Sequence, residues 1–485
     1  MDAARSSCGN IARAGCDTAR RVLAGKQPRT IPGSGCFCPR RGDPSKGVFV
    51  MRRTSFLRFH PLVIAAAAMA AAGSANAVDL YGGGATFPVQ SYVGDDFLLT
   101  TPRARLSRNT TNPVATTPIA GLTPPDTVFA RFSAGTSNLI SYCQTGSGTG
   151  KTVLLGVGSV TSANGECNNY NNYGPFPAGF SGLVASPDYI GTDSPITQAD
   201  ATSFTGGPRA ARVGLWQIPT LAGAIALPRH EGLNFPNLTT AQVCAIFSAR
   251  ITSWSAIPGS GSSAPIHVVF RSDGSGTSFA FTRYLADACN GNFGIPVGYF
   301  TPNQSFAAAV PAVGNQPNSV APFYAASTAA SGNPNVVTQA VATANSIGYG
   351  AYPEVHKQGA EFPTVNNASP ASLPTSISIP APLSGMVLNA SNTPTPVTGL
   401  PNPTCLRLVN PRTIPAGVAY PILAYTYMAG YRNDNAAKTT PLRNLLGYFL
   451  STESNRPAPP AGFAYLDGNA AYRTSVQNTI NSCIL

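Results

Sequence analysis

Ile266-His267-Val268-Val269-Phe270-Arg271-Ser272-Asp273-Gly274-Ser275-Gly276-Thr277-Ser278-Phe279 is the stretch on which the reading of this chain turns. Ile266–Phe270 is a short apolar run of strand composition, and from Ser278 to Cys289 the apolar residues Phe281, Tyr284, Leu285 and Ala288 recur at helical spacing. A strand running through a glycine-rich turn straight into a helix is the unit of α/β architecture. The start of such a helix presents unpaired N–H groups and a partial positive charge, which together attract anions. Glycines let the backbone approach a ligand closely, Ser and Thr add hydroxyls, and Arg271 adds a fixed cationic fork. Asp273 stands two residues on, placed to orient that guanidinium. By itself the segment reads equally well as a capped strand-to-helix junction, because Ser and Asp are common caps.

Two further turns share this character. Gly82-Gly83-Gly84-Ala85-Thr86-Phe87-Pro88 opens the folded region, and Gly146-Ser147-Gly148-Thr149-Gly150-Lys151 precedes Val153-Leu154-Leu155. The second falls one residue short of a nucleotide-binding P-loop, since position 145 is Thr rather than Gly. Neither Ser147 nor Ser275 sits in G-x-S-x-G, so no nucleophile elbow is present. Thr239 with Gln242 forms a capping box, followed by Val243, Ile246 and Phe247 on one helical face. Residues 100–128 are Thr/Pro-rich and read as an irregular surface insertion, and a second polar, Pro-rich stretch runs from Thr364 to Pro403.

The 485 residues suggest two to four domains at about 100–200 residues each. With 48 Gly, 44 Pro and only 10% charged residues, the chain is not a long-helix or coiled-coil protein. The formal charge of +12 suggests nucleic acid until its distribution is inspected. Twelve of the 31 basic and three of the 19 acidic residues lie in 1–77, so the remainder is nearly neutral and carries no basic stripe. Nucleic-acid binding is excluded on that ground. Within the first segment, Arg52, Arg53 and Arg58, the apolar Leu62–Ala72 and the small-x-small Ala75-Asn76-Ala77 form the three regions of a signal peptide opening at Met51. The apolar run is shorter than the ~20 residues that a membrane span needs. Residues 1–50 read as an extension from a mis-assigned start, 51–77 as the signal peptide, and the mature chain as exported. Its six cysteines, an even number, imply disulfides with 15 connectivities open. His230, His267 and His356 do not have zinc spacing, and no metal or cofactor is implied.

Taken together, the turns resemble the phosphate-binding proteins of the phosphate ABC transporter, within the periplasmic solute-binding superfamily. The opening Asp79-Leu80-Tyr81-Gly82-Gly83-Gly84-Ala85-Thr86 is similar to their DING branch, with Leu80-Tyr81 replacing Ile-Asn. The resemblance covers most of 79–485 and is weak across 100–130 and 355–415. It implies a two-lobed α/β fold of the type II periplasmic-binding-protein class, joined by two crossing strands near Leu215–Ala226 and Ala419–Tyr425. Lobe one is then 79–226 plus 419–485, and lobe two 227–418.

The same resemblance implies a phosphate site of Thr86 and Phe87 from the first turn and Ser147 from the second. Asp193 joins it from Gly191-Thr192-Asp193-Ser194-Pro195, and Arg271, Ser275, Gly276 and Thr277 from the third turn, with Asp273 behind Arg271. It also implies the disulfides Cys244–Cys289, Cys405–Cys483 and Cys143–Cys167. A carboxylate in an anion site repels its ligand unless the ligand brings a proton for it, as hydrogen phosphate does and sulfate does not. The implied function is an exported, non-enzymatic, monomeric phosphate-binding protein of the periplasm or exterior, with an ABC permease as partner. An exported phosphatase or phosphodiesterase using the same site, or an adhesin-like surface protein, are the other readings. The first lacks a nucleophile with an activating base, because no histidine belongs to any of the turns.

Overall fold

The structure is a computed structural model that describes residues 78, 80–94, 104–107, 126–136, 138, 140–157, 186–313, 323–389, 391–413, 415–451 and 456–485. The leader, the signal peptide and Cys167 lie outside the described residues. In chain order the elements that build the site are β1 (Leu80–Gly84), β2 (Ala104–Ser107), β3 (Ile140–Gln144), α1 (Ser147–Leu155), β4 (Tyr189–Thr192) and β5 (Leu215–Ala226). They continue with α2 (Thr240–Phe247), β6 (His267–Arg271), α3 (Gly276–Cys289), β7 (Ala326–Ala330), α4 (Gly332–Ala342), β8 (Ser346–Ile347) and β9 (Gly350–Ala351). The last are β10 (Leu423–Tyr431), β11 (Phe463–Tyr465) and α5 (Ala470–Cys483).

The large sheet has the order β9-β5-β10-β4-β1-β3-β2, with β11 also on β5. Its β4-β1-β3-β2 portion is parallel, with Gly82 opposite both Tyr189 and Tyr142. A smaller parallel sheet has the order β7-β6-β8. In both sheets the strands run into their turns at their carboxyl ends, so the loops and helix starts that follow gather at one edge. That edge is where open α/β sheets bind ligands.

β5 and β10 pair antiparallel along their whole length, Leu215 opposite Tyr431 and Ala224 opposite Leu423, and both are buried throughout. A strand buried on both faces must be apolar on both, which is why Leu423-Ala-Tyr-Thr-Tyr-Met-Ala-Gly-Tyr431 shows no alternation. The second crossing strand was expected near Ala419–Tyr425. It begins instead at Leu423, beyond Pro421, whose missing N–H cannot join a ladder. The 100–128 insertion is not wholly irregular, since Ala104–Ser107 is the edge strand of the large sheet. The 364–403 stretch likewise contains short paired strands, Met386–Leu388 against Pro394–Pro396 among them.

Local chemistry explains the elements of the smaller sheet's side. Thr239 caps α2 in a reciprocal box with Gln242. α3 turns Phe281 and Leu285 inward, and Phe281 stacks with Tyr349 at 4.7 Å. The buried Arg283 guanidinium donates to the carbonyls of Pro411 (2.6 Å) and Leu423 (2.8 Å), which ties α3 to the start of β10. Disulfides join Cys244 to Cys289, between α2 and α3, and Cys405 to Cys483, at the end of α5. The first closes a separation of 45 residues, and a bridge of this kind is worth about 2–4 kcal/mol.

Candidate functional site

The turns after β1, β3, β4, β6 and β7 meet in one buried place. β1 is joined there by the backbone to both of its neighbours: Gly146 N–H, just after β3, donates to Gly84 carbonyl at 2.7 Å, and Ala85 N–H donates to Gly191 carbonyl of β4 at 2.9 Å. Gly146 takes φ of 93°, a conformation open to glycine, and so aims α1 at the centre. Ser147, the first residue of α1, is fully buried and its Oγ accepts from Asp193 N–H at 3.2 Å. Gly148 N–H donates to Gly274 carbonyl at 2.7 Å, so the second and third turns touch directly.

Arg271 ends β6 and is 2% exposed. Its Nε and Nη2 donate to Asp273 Oδ1 and Oδ2 at 2.6 and 2.5 Å, a bidentate pair that holds the fork rigid. Burial opposes ionisation of Asp273, but Arg271 and the Gly332 N–H, 3.0 Å from Oδ1, hold its carboxyl below the usual range. The remaining nitrogen, Nη1, is buried without a hydrogen-bond partner. Behind this residue the Tyr349 hydroxyl accepts from Arg271 N–H and bonds Ser278 Oγ at 2.6 Å, so the turn is fixed from the core side.

Asp193 follows β4 and is 3% exposed, and neither carboxylate oxygen has a hydrogen-bond partner. Burial pushes its pKa up to about 8, against the pull of Arg271. Desolvation thus outweighs the attraction of the Arg271 guanidinium. Gly276 leaves no space beside it, since a Cβ there would lie 2.6 Å from Asp193 Oδ2. A buried acceptor, a buried cationic donor and two helix starts therefore face one another. Such an arrangement suits a small, partly protonated oxyanion.

The structure brings all of the predicted residues to this place but divides their duties. Ser275 Oγ is the cap of α3, accepting from Ser278 N–H at 3.0 Å. Phe87 turns its ring into the core against Phe463 at 5.0 Å, so only its backbone is left for a ligand. Thr86 and Thr277 are buried and both accept from the amide of Asn333, at 3.2 Å each. Asn333 was missed in the sequence. The signal lay in Ser331-Gly332-Asn333-Pro334, a fourth strand-to-helix turn after β7.

Other chemistry lies elsewhere. Lys151, the P-loop-like lysine, reaches Asp200 at 2.7 Å and the Pro195 carbonyl at 2.8 Å. The histidines have their partners apart from the cradle: His267 bonds Thr328 at 2.7 Å, His230 accepts from Gly232 N–H, and His356 stacks on Tyr352. Among the described residues no His/Cys/Asp/Glu cluster suited to a metal occurs, and no helix is long and apolar enough to cross a membrane.

The raised Asp193 pKa has a consequence for stability. Folding favours the protonated acid, whose ordinary value is 3.8. The stability it confers is complete below about 4 and is lost as pH rises through about 8. In buffer free of phosphate and sulfate, Asp193→Asn is expected to melt with a shallower pH slope over this window, and several degrees above wild type at its alkaline end. Equal slopes in the two proteins would show that the carboxyl is not desolvated.

A model described as a PBP superfamily domain matches residues 109–452. The chain is 28% identical over 409 residues to alkaline phosphatase L of Pseudomonas aeruginosa strain PAO1, covering 83% of this chain and 89% of that protein. It is 31% identical over 170 residues to a phosphate-binding protein of an unknown prokaryotic organism, covering 35% of this chain and 41% of the relative. In fold it is similar to PfluDING, a high-affinity periplasmic phosphate-binding protein solved with phosphate at pH 8.5. That likeness has a TM-score of 0.54 at 22% identity, and covers 83% of this chain and 93% of that one.

Proposed function

The chain belongs to the PBP superfamily, and from that premise we propose that it captures inorganic phosphate between two lobes after export and presents it to an ABC permease. One observation carries the reading: Asp193 and Arg271 Nη1 are buried, opposite in chemistry and unpartnered, where the turns of both sheets meet. Burying such groups is costly unless something pairs with them. A monohydrogen oxyanion pairs with both, accepting from Nη1 and placing its proton against Asp193. Ser147, the helix starts of α1 and α3, Thr86 and Thr277 supply further donors. The lobes are 79–226 with 419–485, and 227–418, with β5 and β10 as the hinge between them. The phosphate-binding names of the relatives support the same ligand.

The protein is read as a binder and not an enzyme. The relative named alkaline phosphatase L favours testing hydrolysis beside binding, although Ser147 accepts from Asp193 N–H, Ser275 caps α3, and no histidine belongs to any of the turns. Wild-type protein unfolded and refolded to strip ligand should then bind one phosphate per chain in calorimetry and turn over no p-nitrophenyl phosphate. No heat with phosphate would sink the reading. Turnover abolished by Ser147→Ala would replace it with the phosphatase.

A further inference from the structure

Resting on the phosphate reading, we propose that Asn333 is a positioning residue that points the hydroxyl protons of Thr86 and Thr277 at one bound oxyanion. Asn333 is fully buried at the start of α4, where Gly332, at φ of 76°, swings the chain out of β7. Its Nδ2 lies 3.2 Å from Thr86 Oγ1 and 3.2 Å from Thr277 Oγ1. An amide NH₂ carries two hydrogens and donates both, so each hydroxyl that accepts one keeps its own proton to give elsewhere. For Thr86 the direction is fixed twice over, because Asn333 N–H also donates to the same oxygen at 3.3 Å. Both lone pairs of Thr86 Oγ1 are thereby occupied, and the hydroxyl acts as a donor. Asn333 Oδ1 is left buried without a partner, as expected where the amide is held by its donor side.

The arrangement also joins the two sheets. Thr86 follows β1 of the large sheet, while Thr277 and Asn333 start helices that follow strands of the smaller one. Asp273, which grips Arg271, accepts from Gly332 N–H next to Asn333. One network therefore holds the cationic fork and both hydroxyl donors. Asn333 acts through the threonines and accepts no hydrogen bond through its own Oδ1. Its contribution should vanish when they do.

The test is a mutant cycle read by phosphate calorimetry on the full chain, with melting of each variant in phosphate-free buffer as the control for folding. Asn333→Ala is expected to weaken phosphate by about tenfold, and Thr86→Val with Thr277→Val by about a hundredfold. The triple variant should be no weaker than the double. A triple variant that loses the full product of both effects would overturn the proposal, as would Asn333→Ala binding like wild type. If Asn333→Ala does not fold, Asn333→Leu keeps the approximate volume, adds no charge and donates nothing. Loss of about tenfold or more with unchanged melting then supports the assignment, and retained affinity overturns it. Failure of wild type to bind phosphate at all would instead refute the functional reading on which the inference rests.

Discussion

Arg271→Ala is expected to lower phosphate affinity by about a hundredfold to a thousandfold, the largest single loss this site offers. A hydrogen bond between ionised partners contributes roughly 1.5–3 kcal/mol, and each 1.4 kcal/mol is tenfold in affinity. Arg271 is worth more than one such bond because its charge is buried and its fork is held by Asp273 at 2.6 and 2.5 Å. The substitution also strands Asp273 in the interior, and removing one partner of a buried pair costs about 3–5 kcal/mol of stability. Binding and folding therefore have to be separated. Adding Asp273→Asn to Arg271→Ala removes the stranded charge, so melting should recover while affinity does not. If affinity returns with stability, Arg271 serves the fold and not the ligand.

Asp193→Asn is expected to admit sulfate under conditions in which wild type refuses it. Asp193 and the anion share a single proton. Below about 8 the buried acid holds that proton itself, and a fully deprotonated anion finds a donor. Above that value the carboxylate is ionised, and only an anion that brings its own proton avoids setting two acceptors face to face. Phosphate does so and sulfate does not. Asparagine presents an N–H at every pH and carries no charge to repel a dianion. The contrast should thus be greatest on the alkaline side: sulfate competes with phosphate in the variant but not in wild type, and wild-type discrimination sharpens as pH rises through about 8. Competition calorimetry with both anions at fixed ionic strength, on either side of that pH, reads both effects. Sulfate excluded equally from the variant would reduce Asp193 to a structural role.

The sequence by itself determined the features whose physics is local. The helical spacing of Phe281, Tyr284 and Leu285 predicts the body of α3, and the structure adds two residues at its start. Thr239 and Gln242 predict the α2 cap that is present, because a capping box needs only four consecutive residues. Leu215–Ala226, which the family resemblance and no local pattern implied as a crossing strand, coincides with β5. The start of β10 was not read from its composition, because Leu423–Tyr431 shows no alternation and the resemblance placed the strand only near Ala419–Tyr425. Asp193 shows the same limit. Its identity is legible in Gly191–Pro195, but its raised pKa follows from burial, which cannot be read locally. Thr86 and Asn333 are 247 residues apart, and no periodicity or spacing connects them. Their contact exists because parallel strands of two different sheets end at one edge. The chain encodes each turn separately, and the packing of the sheets makes the turns a site.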